Sequence, residues 1–356
     1  MQDSKTRNND PRETAAPPEP PPAQPIMLSV IIPMFNEEEN LAGTVDRVAA
    51  TLREGFHDGP WEIVIVNDGS TDDTWEQARR LAMDPAYPWL RVKGYAINRG
   101  RGHALRTGFA AARGQWIVAI DADLSYDPKY ILDMLVVLRD RPDIDIVLAS
   151  AYMPGGGVEN CEMSRVVISK IGNRILSWFM SPSGQRIHTI TCVVRAYRRE
   201  ILQSMELESD GKDIHLEILS KALMLGYRVA EVPAVCKRRA KGKSKFKFRS
   251  TATSHLIFAL FERPILIFGL IGVVAMLGGF GILSMAVYYW MRGVAISWSR
   301  PIMTIMVLLL LGGLQMIAFG IIGTQFVSLR KESIKIQARL RQIASREEEI
   351  DARHRR

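Results

Sequence analysis

The run Trp116-Ile117-Val118-Ala119-Ile120-Asp121-Ala122-Asp123 sets five apolar residues directly before two carboxylates one residue apart. A short apolar run of this kind reads as a buried strand. Its two acids are then delivered at the carboxyl end, the edge where open α/β sheets bind ligands. Alternate residues of an extended chain project to the same side. Asp121 and Asp123 therefore suit Mg²⁺ or Mn²⁺ bridging a diphosphate, because hard cations take oxygen ligands. A lone D-x-D is more often a pair of solvated acids in a loop. The surrounding chain decides otherwise.

Working outward, short apolar runs alternate with helical patterns. Leu28–Ile32, Ile63–Val66, Arg91–Ala96, Trp116–Ile120 and Asp143–Leu148 read as strands. Helices are expected over Glu37–Leu52, with Leu41, Val45 and Val48 on one face, and over Thr74–Met83, His103–Ala112 and Pro128–Leu138. This β-α-β-α rhythm predicts an α/β fold with a doubly wound, mostly parallel sheet over residues 26–250.

Beyond it the character changes. Pro264–Met291 and Pro301–Leu329 carry no charge. Each would span about 40 Å as a helix against a hydrocarbon core of about 30 Å. Two transmembrane helices are expected over 264–329, joined by a short loop at 291–300. Tyr288, Tyr289, Trp290 and Trp298 sit where an interfacial aromatic belt would lie.

The formal net charge of +8 is unevenly distributed. Eight basic residues and no acid lie between Lys237 and Arg249, and Arg330, Lys331, Lys335, Arg339 and Arg341 follow the last apolar run. Both clusters adjoin hydrophobic segments, which points to an anionic bilayer or a lipid phosphate and away from nucleic acid. Basic flanks put both termini and the sheet domain in the cytoplasm. Residues 1–25, with seven prolines, read as a disordered tail without a signal peptide's apolar core. Cys161, Cys192 and Cys236 show no metal-site spacing and read as reduced thiols. Residues 330–356 read as a charged cytoplasmic tail.

Three loops fall at strand ends. Pro33-Met34-Phe35-Asn36-Glu37-Glu38-Glu39-Asn40 follows the first strand, and Asn67-Asp68-Gly69-Ser70-Thr71-Asp72-Asp73-Thr74 the second. Both place acids and amides where a nucleoside offers hydroxyls and base edges, though each alone would serve as a helix cap. Asn98-Arg99-Gly100-Arg101-Gly102-His103 permits close backbone approach to a ligand. Leu105 spoils a G-x-G-x-x-G fingerprint, so a dinucleotide is a poor fit.

Taken in order, these motifs and Asp121-Ala122-Asp123-Leu124 resemble the GT-A glycosyltransferases of family 2. Pro154–Val158, Ser164–Lys170, Arg195–Arg199, Glu231–Pro233 and Arg239-Ala240-Lys241-Gly242-Lys243-Ser244-Lys245 are similar to dolichol-phosphate mannose synthases and bacterial polyprenyl-phosphate glycosyltransferases. The likeness covers about Leu28 to Arg249. Two departures stand out: Ala151 where the family often has an arginine, and Thr189–Arg195 where it often reads D-x-T-S-G-F-R. A phosphate-binding arginine is thus missing, or replaced by Arg165 or Arg186.

The resemblance implies inverting transfer of a sugar from a UDP- or GDP-linked donor to a polyprenyl (undecaprenyl or dolichyl) phosphate at the cytoplasmic membrane face. Pro33, Phe35, Glu37, Asp68, Gly100, Gly102, Asp121 and Ala122 would bind the donor. Asp123, with Asp121, would hold the metal. Arg165, Ser169, Arg239 and Lys245 would bind acceptor phosphate or close over the diphosphate, with Asp123, Arg165, Arg239 and Lys245 forming the catalytic set. A phosphomonoester has a second pKa of about 6 and needs little help from a base. A homo-oligomer is expected. Ser164–Met180 and residues 251–263 read as amphipathic interface helices, with core packing the alternative for the first. His188, His215 and Glu217 stay ambiguous. A processive polysaccharide synthase would want a Q-x-x-R-W segment and more spans; a catalytically silent membrane scaffold would not need the acids and bases present.

Overall fold

The structure, a computed structural model, describes residues 25–159, 163–180, 187–237, 264–293 and 301–354. The chain divides into two units, residues 1–170 with 187–244, and residues 171–186 with 245–356.

In the first unit, β1 (Leu28–Met34), β2 (Trp61–Asp68), β3 (Leu90–Tyr95), β4 (Trp116–Ala119), β5 (Ile146–Ser150), β7 (Arg195–Arg198) and β8 (Val229–Pro233) form one sheet in the order β3-β2-β1-β4-β7-β5-β8. All neighbours run parallel except β7, which is antiparallel to β4 and β5. A short parallel pair, β6 (Gly157–Glu159) with β9 (Val235–Lys237), stands apart from it. The mostly parallel α/β architecture of the GT-A expectation is met. The antiparallel β7 lies outside the strands expected from the sequence.

Covered on both faces, β1, β2 and β4 have no solvent side; β4 is apolar throughout, and the polar residues near the start of β1 and β2, Ser29 and Glu62, are buried and bonded to each other at 2.6 Å. Helices α1 (Leu41–Gly55), α2 (Thr74–Met83), α3 (Arg101–Ala111) and α4 (Lys129–Asp140) return the chain between strands. Helix α1 buries Leu41, Thr44, Val45, Val48, Ala49 and Leu52, spacing that keeps one face on the sheet. Next come α5 (Met163–Met180), α6 (Arg199–Ser204) and α7 (Ile214–Leu225). Helix α7 is closed by Gly226 at φ 89°, whose N–H reaches the carbonyls of Ala222 and Leu223. The strand order reverses between β1 and β4, so the loops after these strands part and open a crevice at that edge.

Helix α1 starts at Leu41 rather than Glu37. Asn36 takes φ 54°, and the N–H groups of Asn36 and Glu37 are bonded across to Ser70 and Thr74, which takes the segment out of helical geometry.

The second unit holds α8 (Pro264–Met291) and α9 (Pro301–His354). Both are long and apolar enough to cross a membrane. They pack antiparallel through small residues. A Cβ on Gly272 would lie 2.6 Å from the Gly313 carbonyl oxygen, one on Gly313 2.8 Å from that of Gly272, and one on Gly279 2.7 Å from the Leu310 side chain. Helix α9 does not stop at Leu329 as the apolar pattern implied. No glycine or proline follows Gly323 before His354, and the segment read as a charged tail continues the helix. The proline-rich tail up to Gln24, the interface helix at 251–263 and loop residues 294–300 lie outside the described residues.

Candidate active site

The crevice is bordered by three loops that hold one another. Asn36 Oδ1 accepts the Thr71 N–H at 2.8 Å, and Asn36 Nδ2 donates to Thr71 Oγ1 at 3.2 Å. Glu37 N–H donates to Thr74 Oγ1 at 2.9 Å, and Asp73 N–H to Glu38 Oε2 at 2.9 Å. The loops after β1 and β2 are thus laced together, and much of the polarity read as nucleoside-binding serves that lacing. Pro33 and Phe35 stay half-exposed on it, whereas Glu37 is largely buried, with Asn40 Nδ2 donating to its Oε2 at 2.7 Å.

Asp68 ends β2 and is 4 % exposed. Its Oδ1 accepts from Tyr95 Oη at 2.7 Å, from Arg99 N–H at 2.9 Å and from Gly100 N–H at 3.1 Å. Its Oδ2 accepts from Asn98 Nδ2 at 3.0 Å. This carboxylate organises the third loop. Burial, then the bond to Asp68, pushes the Tyr95 phenol far above its ordinary range.

Gly100 and Gly102 do allow close approach, but of protein. A Cβ on Gly102 would meet the Ser209 carbonyl oxygen at 2.2 Å, and one on Gly100 the Asp210 carbonyl oxygen at 2.5 Å. The Gly102 N–H donates to the same Asp210 carbonyl at 2.8 Å. Arg106 adds a contact to the Asp210 carboxylate and a 2.8 Å bond to the Leu207 carbonyl. The start of α3, read as a ligand cradle, is therefore partly occupied by the segment before α7.

The D-x-D turn follows β4. Ala122 is buried and its carbonyl accepts Thr44 Oγ1 at 2.6 Å, which fixes the turn to α1. Leu124 sits at φ 48°, and its N–H returns to the Asp121 carbonyl at 3.3 Å. Asp123 Oδ1 accepts from Ser125 N–H at 3.0 Å and Ser125 Oγ at 2.7 Å. Asp121 Oδ1 is in contact with the Arg101 guanidinium. Nothing in the sequence pairs two residues twenty positions apart, so the pattern alone does not single out Arg101.

Among the described residues no group of three or more His, Cys, Asp or Glu is placed to hold a metal ion. Magnesium-type ions are commonly held by one or two carboxylates, with phosphate oxygens and waters completing the shell. Asp121 and Asp123 fit a metal that arrives with a diphosphate.

The acceptor-side residues divide. Arg165 and Ser169 lie on α5, with Ser169 half-buried. Arg239, Lys245 and Arg186 lie outside the described residues. Lys237, two positions before Arg239, is described: its N–H donates to the Ser125 carbonyl at 2.7 Å. Lys237, the first residue of the basic run, therefore lies beside the D-x-D turn. The β6–β9 pairing aligns Glu159 with Lys237, which brings the approach to α5 to the same place. On α5, Val167, Ile168 and Ile171 are about half exposed, so core packing does not account for these three.

The departures from the family pattern have structural work. Thr189 Oγ1 is 2.7 Å from Ser150 Oγ and accepts the Tyr152 N–H at 3.1 Å. Arg195 is fully buried and donates to the carbonyls of Cys192, His215 and Ile190 at 2.7, 2.7 and 2.5 Å, so it holds turns together. Burial pushes the Cys192 thiol up to about 12. His188 Nδ1 lies 2.7 Å from Glu231, and Glu217 pairs with Lys221 at 2.6 Å while accepting the Ser209 N–H at 2.8 Å. His215 is buried, and among the described residues neither ring nitrogen has a hydrogen-bond partner. Burial, then the charges of Arg195 and Arg101, hold it well below the ordinary histidine range.

Mostly parallel sheet, switch-point edge and a carboxylate pair following β4 give an α/β fold of the GT-A kind. The sequence model for glycosyl transferase family 2 matches residues 29–205, and the chain belongs to that family and is a glycosyltransferase. A polyprenol monophosphomannose synthase of Mycolicibacterium smegmatis is 35 % identical over 245 residues, 66 % of this chain and 86 % of that one. A dolichol-phosphate mannosyltransferase of Pyrococcus furiosus is 36 % identical over 220 residues; the match spans 62 % of this chain and 59 % of that protein's length. A dodecaprenyl-phosphate galacturonate synthase of Rhizobium johnstonii is 29 % identical over 317 residues, 85 % of this chain and 88 % of that one. Among solved structures, a mycobacterial protein superposes with a TM-score of 0.50 at 20 % identity over 67 % of this chain and 74 % of its own, a likeness of fold.

Proposed function

We propose that this chain transfers a sugar from a nucleotide-sugar to a polyprenyl phosphate at the cytoplasmic face of a membrane, giving a lipid-monophosphate sugar. The observation that carries the reading is the bond from Lys237 N–H to the Ser125 carbonyl. It sets Lys237, the first residue of the basic run, beside Ser125, two residues from Asp123, and that adjacency supports a lipid phosphate and a donor sharing one site. The names of the three relatives support the same acceptor class.

In this reading the donor's diphosphate lies over Asp121 and Asp123, with Pro33, Phe35, Glu37 and Asp68 on the nucleoside side. Asp121 and Asp123 would hold Mg²⁺ or Mn²⁺, which when bound neutralises charge on the leaving diphosphate. Arg165, Ser169, Arg239 and Lys245 orient the acceptor phosphate. One of its oxygens attacks the anomeric carbon from the face opposite the nucleotide. The new C–O bond forms as the bond to the diphosphate breaks, and the nucleoside diphosphate leaves with that electron pair, inverting the centre. A phosphate already ionised near neutral pH needs no base, so rate comes from positioning and charge handling. The protein's part is to seat two anions against each other. Helices α8 and α9 anchor it, with both termini cytoplasmic and the exposed stripe of α5 resting on the bilayer.

The test is incubation of the detergent-purified protein with polyprenyl phosphate and a panel of labelled UDP- and GDP-sugars, with and without chelator. Label entering lipid, lost with chelator and in a folded Asp123→Asn variant, is the expected result. Label entering a polymer, or no transfer from any donor, refutes the reading.

A further inference from the structure

We infer that Arg101 is an internal counterion which occupies the metal's place at Asp121 until a donor diphosphate arrives. The inference rests on the metal-binding reading above and deepens it. Its starting point is the direct contact between the Arg101 guanidinium and Asp121 Oδ1, with the two side chains only 27 % and 20 % exposed. A partly buried carboxylate needs a countercharge, and here the countercharge is built into the chain. A divalent ion approaching alone meets a guanidinium already holding one of its two expected ligands.

Three further features make Arg101 a movable rather than a locked partner. Its backbone is fixed, because Gly100 and Gly102 on either side are pressed against the carbonyls of Asp210 and Ser209. Its side chain is not, since Nε is buried without a hydrogen-bond partner among the described residues. Lys212 adds positive charge nearby: burial, then Arg101, lowers its pKa. Two cations close enough to repel each other make a place that favours a further anion. A diphosphate supplies it. A guanidinium is planar and forked, matched to phosphate oxygens. Moving from Asp121 to the diphosphate, Arg101 leaves that carboxylate to the metal. Metal and donor then bind with positive coupling, and by linkage each raises the other's affinity by the same factor.

The experiment measures Mn²⁺ binding from the loss of the free-ion EPR signal beyond that in protein-free samples holding the same diphosphate, on the full chain in detergent. Wild type, Arg101→Gln, Arg101→Lys and Asp123→Asn are titrated alone and with UDP, GDP or inorganic pyrophosphate. Without diphosphate, Arg101→Gln is expected to bind Mn²⁺ about tenfold more tightly than wild type, the equivalent of releasing one ion pair. Arg101→Lys should stay near wild type, and the gain from added diphosphate should shrink in Arg101→Gln. The tighter binding should vanish in the Arg101→Gln/Asp123→Asn double variant, which separates this site from carboxylates exposed by misfolding; tighter binding that persists there overturns the counterion role. If Arg101→Gln binds Mn²⁺ no better than wild type while Asp123→Asn loses it, the metal site stands and the counterion role falls. If no protein binds Mn²⁺ with or without diphosphate, the metal reading fails and takes this inference with it.

Discussion

Replacing Asp68 by asparagine tests whether this carboxylate serves the fold or the ligand. Four protein donors meet it, at 2.7, 2.9 and 3.1 Å on Oδ1 and 3.0 Å on Oδ2. Asparagine keeps one oxygen, so three of those bonds survive without charge. The fourth becomes an encounter between two amide NH₂ groups, because Asn98 Nδ2 also donates to the Asp68 carbonyl at 2.9 Å and is not free to turn. A hydrogen bond to a charged group contributes about 1.5–3 kcal/mol, and roughly half of that survives with a neutral acceptor. Together these come to about 4–7 kcal/mol; the lower cost of burying a neutral amide and relaxation of the loop offset part of it, leaving a net loss of about 2–3 kcal/mol. In a domain of this size each kcal/mol moves the melting temperature by about 2–4 °C, giving a fall of about 4–12 °C. The assay is thermal melting of the detergent-solubilised protein, with Tyr95→Phe and the double variant completing a cycle. The two substitutions should be sub-additive, since one weakens and the other removes the same Tyr95–Asp68 bond. A melting temperature within about 1 °C of wild type, with nucleotide affinity lost, would refute this reasoning and return the carboxylate to the ligand.

Gly102→Ala should destabilise by about 1–3 kcal/mol, because the atoms a Cβ meets are backbone of residues 209–211. Gly43→Ala, with open space around it on α1, is the control and should be neutral or slightly stabilising; equal melting of both variants would sink the docking argument. For His215, the folded protein holds the ring neutral while the unfolded chain takes up a proton below about pH 6.5. Stability is therefore present above that pH and lost as pH falls, by at most about 1.4 kcal/mol per unit. His215→Leu should flatten the fall in melting temperature between about pH 6.5 and 5, and parallel profiles for variant and wild type would show that another group carries it.

The parts legible in the sequence are those where one residue type has one use. Trp116–Ile120 is apolar throughout because both faces of β4 are covered, and α8 and the first part of α9 are apolar over the length that crossing a bilayer requires. Strand β7 was not legible: Arg195-Ala196-Tyr197-Arg198 shows neither alternation nor an apolar run, and Arg195 is buried only because three carbonyls receive it. The glycines at 100 and 102 do mark a close approach, but the pattern cannot say of what. Arg101 and Thr44 reach the D-x-D turn from elements twenty and seventy-eight residues away, and their importance lies wholly in that tertiary contact. Arg165 and Ser169 fall on the expected helix, while the roles of Arg239 and Lys245 continue to rest on the resemblance and on the tether at Lys237.

The seam between α8 and α9 has a bearing on how such a hairpin can drift in sequence. Gly272, Gly279 and Ala286, its buried positions on α8 after Pro264, recur every seven residues, and the chain across from them at Gly313 comes close enough for backbone to touch backbone. A seam made by leaving side chains out has no redundancy: any replacement is an addition, and every addition pushes the rods apart. The exposed apolar positions of the two helices have the opposite character, since one large apolar residue there does the work of another. Hydropathy ranks glycine among the weakest contributors to a span, yet these residues set the hairpin's register. Two segments could keep identical hydrophobicity and lose the hairpin through a shift of one of these small residues by a single place.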